Sequence, residues 1–212
     1  MALFADRVAA GRELAQVVGA GRYTDAVVFG IPRGGVVVAA EVAHRLGAPL
    51  AAVVVRKLGA PSNMEFAIGA IASDVTVVNP DAVRHARVTA EQLAFIEDLE
   101  RVELKRRVAV FAPARLDVTG QTAIVVDDGI ATGATATAAC QELKRRGAAK
   151  VVLAVPVAPA EWHPPHDSVD EYVCAHPQRE FWAVGQFYTD FTQTTDAEVV
   201  ELLSHDLHDE EE

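Results

Sequence analysis

The sequence predicts an α/β fold in which a parallel sheet is flanked by helices, and three observations carry that prediction. Residues 26–30 (AVVFG), the turn IPRGG, a helical pattern ending at Gly47 and the apolar run Pro49 to Val55 read as strand, turn, helix, strand. The same order recurs from TAIVVDD (122–128) through a Gly-rich turn, a helix with Ala136, Ala139, Cys140 and Leu143 on one face, Gly147 and VVLAVPV. A hydrophobic content of 50% with 23% charged residues over 212 positions supports one core and excludes disorder as the main state. Crossovers of this kind are right-handed and give parallel strands covered on both faces, with ligands beyond the carboxyl ends of the strands.

The remaining elements follow in order. Between the two units lie a polar stretch from Gly59 to Glu65, the alternating run FAIGAIASDVTVVN and a long helical pattern from Thr89 to Val110. Leu93, Ile96, Leu99 and Val102 recur there every third residue, Glu97 with Arg101 and Glu103 with Arg107 form i,i+4 pairs, and the charges are read as a solvated face. After Ala158 come PAEWHPPHDS and REFWAVGQFYTDF, then a short helix from about Asp196 to Leu203. No repeat or linker interrupts the pattern, so residues 1–212 are read as a single domain with an acidic tail at 204–212.

Charge and cysteine content narrow the partners. With 19 basic against 30 acidic residues the formal charge is -11, the wrong sign for a protein that neutralises a phosphate backbone, so no nucleic acid is expected. Asp6, Arg7, Arg12 and Glu13 interrupt the start where a signal peptide needs an apolar run, and no stretch is apolar enough to span a membrane. Cys140 and Cys174 make no C-x-x-C pair and no disulfide framework, which fits a reducing, cytoplasmic setting.

The chemistry concentrates in VVDDGIATGAT, residues 125–135. A strand runs into Asp127 and Asp128, and a turn of Thr132, Gly133, Ala134 and Thr135 opens a helix. A helix N-terminus offers unpaired N–H groups to an anion, glycine lets the backbone approach, and hydroxyls add donors. Two acceptor-only carboxylates beside such a turn suit the vicinal hydroxyls of a ribose joined to the bound phosphate. A Walker A loop and a G-x-G-x-x-G fingerprint are both absent.

This run resembles the phosphoribosyl-pyrophosphate (PRPP) motif of the type I phosphoribosyltransferases: apolar residues, two acids, then T-G-x-T. The opening region around Phe4, Asp6 and Arg7 and the segment Glu65-Phe66-Ala67-Ile68-Gly69-Ala70 look like a branch of that superfamily whose acceptor is unassigned. The resemblance implies Mg²⁺-dependent transfer of a phosphoribosyl group from PRPP to a small nitrogenous acceptor with release of pyrophosphate. It implies inversion at the anomeric carbon and a small hood formed by the chain ends. Asp127, Asp128 and Lys57 become the catalytic candidates, and Ala131, Thr132, Gly133, Ala134 and Thr135 the 5′-phosphate loop. Arg33, Gly34, Gly35 and Arg56 become the pyrophosphate site, with a flexible closing loop at about 57–68. Mg²⁺ is expected on substrate oxygens with no direct protein ligand.

The acceptor side departs from the purine enzymes. The residue before Thr132-Gly133 is Ala131, where 6-oxopurine transferases carry an aspartate, so hypoxanthine and guanine are disfavoured. Residues 184–191, VGQFYTDF, are similar to the V-G-x-x-x-D-Y ending of purine transferases but lack the downstream Tyr-Arg pair. Phe181, Trp182, Phe187, Tyr188 and Asp190 are the acceptor candidates. His163 and His166 flank two prolines without a ligand spacing that completes a metal site. Two other readings stay open: a non-catalytic PRPP or nucleotide sensor, and a nucleotide hydrolase or phosphorylase using the same cradle. A homo-oligomer is also open.

Overall fold

A computed structural model of the chain describes residues 2–112 and 116–205. Most of the expected acidic tail, residues 206–212, lies outside them, whereas Ser204 and His205 belong to the last helix.

Five parallel strands form the central sheet: β1 (Ala26–Gly30), β2 (Leu50–Ala52), β6 (Thr122–Val126), β7 (Lys150–Pro159) and β8 (Glu171–Gln178), in the order β2-β1-β6-β7-β8. Side chains alternate strictly about it. Val28 and Ile124 join one core cluster with α1 (Arg7–Val18) and α2 (Gly34–Leu46), while Phe29 and Val125 join the other with α5 (Ala134–Arg145). Both faces are thereby dry, which is why these strands read as unbroken apolar runs. The crossover α2 leads outward from β1 to β2 and α5 leads outward from β6 to β7, so the strand order reverses between β1 and β6. Gly30 is in register with Val126, and the Ile31 N–H donates to the Val126 carbonyl at 2.9 Å. Both carboxyl ends therefore open at the same point, where such sheets bind ligands.

The middle of the chain departs from the expected loop. Residues 57–68 belong to a hairpin of β3 (Arg56–Ala60) and β4 (Asn63–Ile71), which with β5 (Thr76–Val78) makes a three-stranded antiparallel sheet. The alternating run FAIGAI supplies a period-two strand, and that strand recruits the polar residues before it as its partner. After α3 (Pro80–His85), α4 (Ala90–Phe111) crosses this small sheet, started by a capping box between Thr89 and Gln92.

A hood closes over the sheet from both chain ends. The Leu3 and Phe4 N–H groups donate to the Phe187 carbonyl at 2.8 and 2.9 Å, and the Thr189 N–H returns to the Phe4 carbonyl at 2.8 Å. Phe4, Ala10, Val157, Phe187 and Tyr188 form its core. Helix α6 (Asp196–His205) follows.

Candidate active site

Two strand-to-helix loops meet at the β1/β6 reversal. The first, residues 31–33, leads into α2 at Gly34; the second, residues 127–133, leads into α5. Their contact is too close for side chains. A Cβ on Gly34 would lie 2.2 Å from Asp128 Oδ2, and one on Gly35 would lie 2.9 Å from the Val126 carbonyl and 3.0 Å from Asp127 Oδ1. The two glycines are therefore required by the acid pair opposite them.

Each acid is held differently. Asp127 Oδ1 accepts the Asp128 N–H at 2.9 Å. Asp128 Oδ2 accepts from Arg7 Nε at 2.8 Å, in a pair whose side chains are only 12% and 16% exposed. Burial, then the neighbouring Asp128 charge, push the Asp127 carboxyl well above the usual carboxylate range. Burial also raises Asp128, and the Arg7 guanidinium opposes that rise.

Past the acids, Gly133 sits at φ 79° and starts α5 with no side-chain cap, so the first-turn N–H groups face the mouth of the loop. Ala131 and Thr132 are exposed. An uncapped helix start of this kind leaves N–H groups open to a partner, and residues 131–135, the expected 5′-phosphate loop, lie at it.

The cationic candidates are distributed. Arg33 Nη1 reaches Asp196 Oδ1 of α6 at 3.3 Å. Arg56 Nε, expected at the pyrophosphate, is bound to Glu100 Oε2 of α4 at 2.7 Å. Lys57 is half-buried on β3, opposite Ala70. The acceptor candidates separate in the same way. Phe187 and Tyr188, 6% and 5% exposed, are hood core and not an open stacking wall; Phe181 packs on Phe187 with ring centroids 5.1 Å apart. Asp190 Oδ1 is engaged by the Thr192 N–H at 2.9 Å, while Trp182 stands 90% exposed.

Three residues join the site through contacts that no local signal indicates, Tyr188 among them although its aromatic ring is an acceptor candidate. Arg7 binds Asp128, donates from Nη1 to the Thr192 carbonyl at 2.8 Å, and lies over the Phe191 ring at 3.9 Å. The Tyr188 hydroxyl donates to the Asp128 carbonyl at 2.5 Å, and burial raises its pKa. Trp162, just past β7, donates from Nε1 to the Thr132 carbonyl at 3.2 Å, and its ring fills the space a Cβ on Gly133 would need, 2.2 Å from Cζ2. The signal for Trp162 is topological: β7 neighbours β6, so the residues beyond both strands must meet.

Among the described residues no group of three His, Cys, Asp or Glu side chains is placed to hold a metal ion, and no helix is long and apolar enough to cross a membrane.

A parallel sheet whose order reverses between two strand-to-helix loops, with an acid pair at that point, defines an α/β protein of the kind that carries its ligand site there. The phosphoribosyl transferase domain family matches residues 5–192, and the chain belongs to it. A Mycobacterium tuberculosis (strain H37Rv) protein provisionally named a phosphoribosyl transferase is 48% identical over 207 residues, 96% of this chain and 47% of that protein. The chain thus spans about half the length of the curated relatives it matches. A uracil phosphoribosyltransferase of Staphylococcus aureus (strain Newman) is 38% identical over 77 residues, 34% of this chain and 37% of that one. Among solved structures, TT1426 from Thermus thermophilus superposes with a TM-score of 0.76 at 38% identity, covering 97% of this chain and 99% of that one.

Proposed function

We propose that the chain transfers the phosphoribosyl group of PRPP to a small nitrogenous acceptor, with Mg²⁺, and releases pyrophosphate. The observation that carries this reading is the meeting of Gly34 and Gly35 with Asp127 and Asp128 at the strand-order reversal. The first-turn amides of α5, with Thr132 and Thr135, hold the 5′-phosphate. Asp127, fixed through its Oδ1, accepts the ribose hydroxyls, and its poorly solvated carboxylate stabilises positive charge as it develops on the ribose ring. The Gly34 and Gly35 amides and Arg33 take the pyrophosphate. Arg33 is available because its bond to the half-exposed Asp196 is long, and such pairs hold weakly. Lys57 serves the same leaving group from β3. The oxygen-rich acid pair suits Mg²⁺ carried on substrate oxygens and water, where it would neutralise the leaving group's charge.

Ala131, in place of an acid, makes hypoxanthine and guanine poor acceptors in this reading. The free thiols Cys140 and Cys174 suit a reducing cytoplasm. A second reading, a PRPP binder without turnover, draws on the contact in which Arg7 already satisfies Asp128. One experiment separates them: pyrophosphate release from PRPP with Mg²⁺ against hypoxanthine, guanine, adenine, uracil and orotate, with calorimetric titration of PRPP alongside. Release with adenine, uracil or orotate supports transfer. PRPP binding without release to any acceptor supports the binder, and no PRPP binding overturns both.

A further inference from the structure

Helix α4 carries apolar side chains on both its inner and its outer side. Three of its charged side chains are turned toward its own domain: Arg101 donates to the Ser73 carbonyl at 3.2 Å and Thr76 Oγ1 at 2.9 Å, Thr76 Oγ1 donates to Glu97 at 2.7 Å, and Glu100 receives Arg56 at 2.7 Å. Of its apolar residues, Ile96, Leu104 and Phe111 are buried beside them. Phe95, Leu99 and Val102 are 65%, 55% and 71% exposed. Spaced i, i+4, i+7, they form one outward stripe, and Arg106 continues it one turn further on. A single exposed apolar residue needs no explanation, but an aligned row of three on a helix marks a contact surface.

The charges on the helix say what that surface fits. With Glu97, Glu100 and Arg101 turned inward, the exposed charges are Glu91 and Asp98 on residues 90–101 and Lys105 and Arg106 on residues 102–111. One half is acidic and the other basic, so the helix is electrostatically complementary to itself reversed. We propose that this face docks antiparallel against the same face of a second copy of the chain, about a two-fold axis passing between Leu99 and Val102. Antiparallel pairing about that axis sets Leu99 against Val102 and the Phe95 ring against the guanidinium of Arg106, the geometry of a cation–π contact. Asp98 then falls near Glu103, whose charge Arg106 and Arg107 of its own helix already offset. The pairing also lays each acidic half along a basic half. Parallel pairing would oppose like charges, and the acidic flank formed by Glu91 and Asp98 repels an anionic lipid or nucleic acid surface. The contact is closed and self-complementary, as in a two-fold dimer. A 22-residue helix is about 33 Å long, so a lone helix pair falls at the small end of specific interfaces and the dimer is weak and reversible.

The inference is independent of the catalytic reading. Its test is sedimentation equilibrium of the full chain from about 1 to about 200 µM, the range of weak specific complexes. The wild type should show a monomer–dimer equilibrium. Leu99→Asp with Val102→Asp should weaken it about tenfold or more, as removal of interface anchors does, with an unchanged circular dichroism spectrum because both positions are exposed in the monomer. Lys105→Glu with Arg106→Glu should weaken self-association, and mixing that variant with Glu91→Lys with Asp98→Lys should give a heterodimer tighter than either homodimer. A wild type that stays monomeric throughout overturns the proposal and leaves the stripe to another partner, such as the additional length of the longer relatives. A dimer indifferent to the aspartate pair, or association growing into open-ended polymers, also overturns it.

Discussion

The floor of the candidate site and its hood serve the same carboxylate by opposite means. The floor is two short loops, each complete within about ten residues of chain, that sit together because β1 and β6 are neighbours in the sheet. The hood reaches Asp128 through Arg7, 121 residues away in sequence, and Arg7 in turn reaches Thr192, 185 residues away. The floor is thus specified locally and the hood only by the completed fold. The difference separates the loops proposed to bind from the contacts that position them.

That separation predicts its largest effect at the floor. Asp127→Asn with Asp128→Asn should weaken PRPP binding about a hundredfold or more, since hydrogen bonds to a charged partner contribute about 1.5–3 kcal/mol each. Calorimetric titration checks this, and unchanged affinity in a folded double variant would assign the acids to structure alone.

Arg7→Ala tests the hood. It leaves Asp128 poorly paired in a site only 16% exposed, and should cost about 2 kcal/mol, a fall in Tm of about 4–8 °C for a chain of this size. Arg7→Lys should recover part of that loss: it keeps the charge but surrenders the Nη1 bond to Thr192 and the flat contact with Phe191. Equal melting temperatures for all three proteins, measured by calorimetry, would show that the hood is held by its aromatic core alone.

The smallest effect sharpens the contrast between the two acids. A carboxyl with a raised folded-state pKa holds its proton more tightly folded than unfolded. It adds nothing below its ordinary value near pH 4, lowers stability as pH rises above that, and levels off beyond the folded value. Asp127→Asn should therefore melt with the wild type at about pH 4 and increasingly above it as the pH rises, by roughly a few degrees. A difference in Tm that stays flat as the pH rises from about 4 would mean that Asp127 carries no buried-charge cost. Where the cost is found, stability has been given up at the residue proposed to touch ribose.

The same division explains what can be read in advance. Strand-turn-helix patterns specify the parallel sheet, and the acids, the paired glycines and the 131–135 turn fall where local spacing puts them. Arg7 is invisible as a site residue, and Tyr188 is legible only as an acceptor contact, because no local pattern links either to Asp128. Phe187 and Tyr188 resemble a stacking wall because aromatic spacing reads the same whether the rings line a pocket or fill a core. In α4, a step of three residues turns the row from Leu93 to Val102 half-way round the helix, so its later members face outward, while Glu97, Glu100 and Arg101 face the small sheet instead of water. Residues 57–68 read as a loop because a strand's partner is chosen by the strand it meets and not by its own composition.

Trp162 gives the molecule a property of another kind. The chain has two tryptophans. Trp182 is 90% exposed and emits as an indole in water, whereas Trp162 lies edge-on to Tyr172 with ring centroids 5.4 Å apart and shares a hydrogen bond with the turn before α5. The intrinsic emission of the protein should therefore sum two unlike indoles, one in water on the hood and one packed beside the turn before α5, so that turn carries its own optical label.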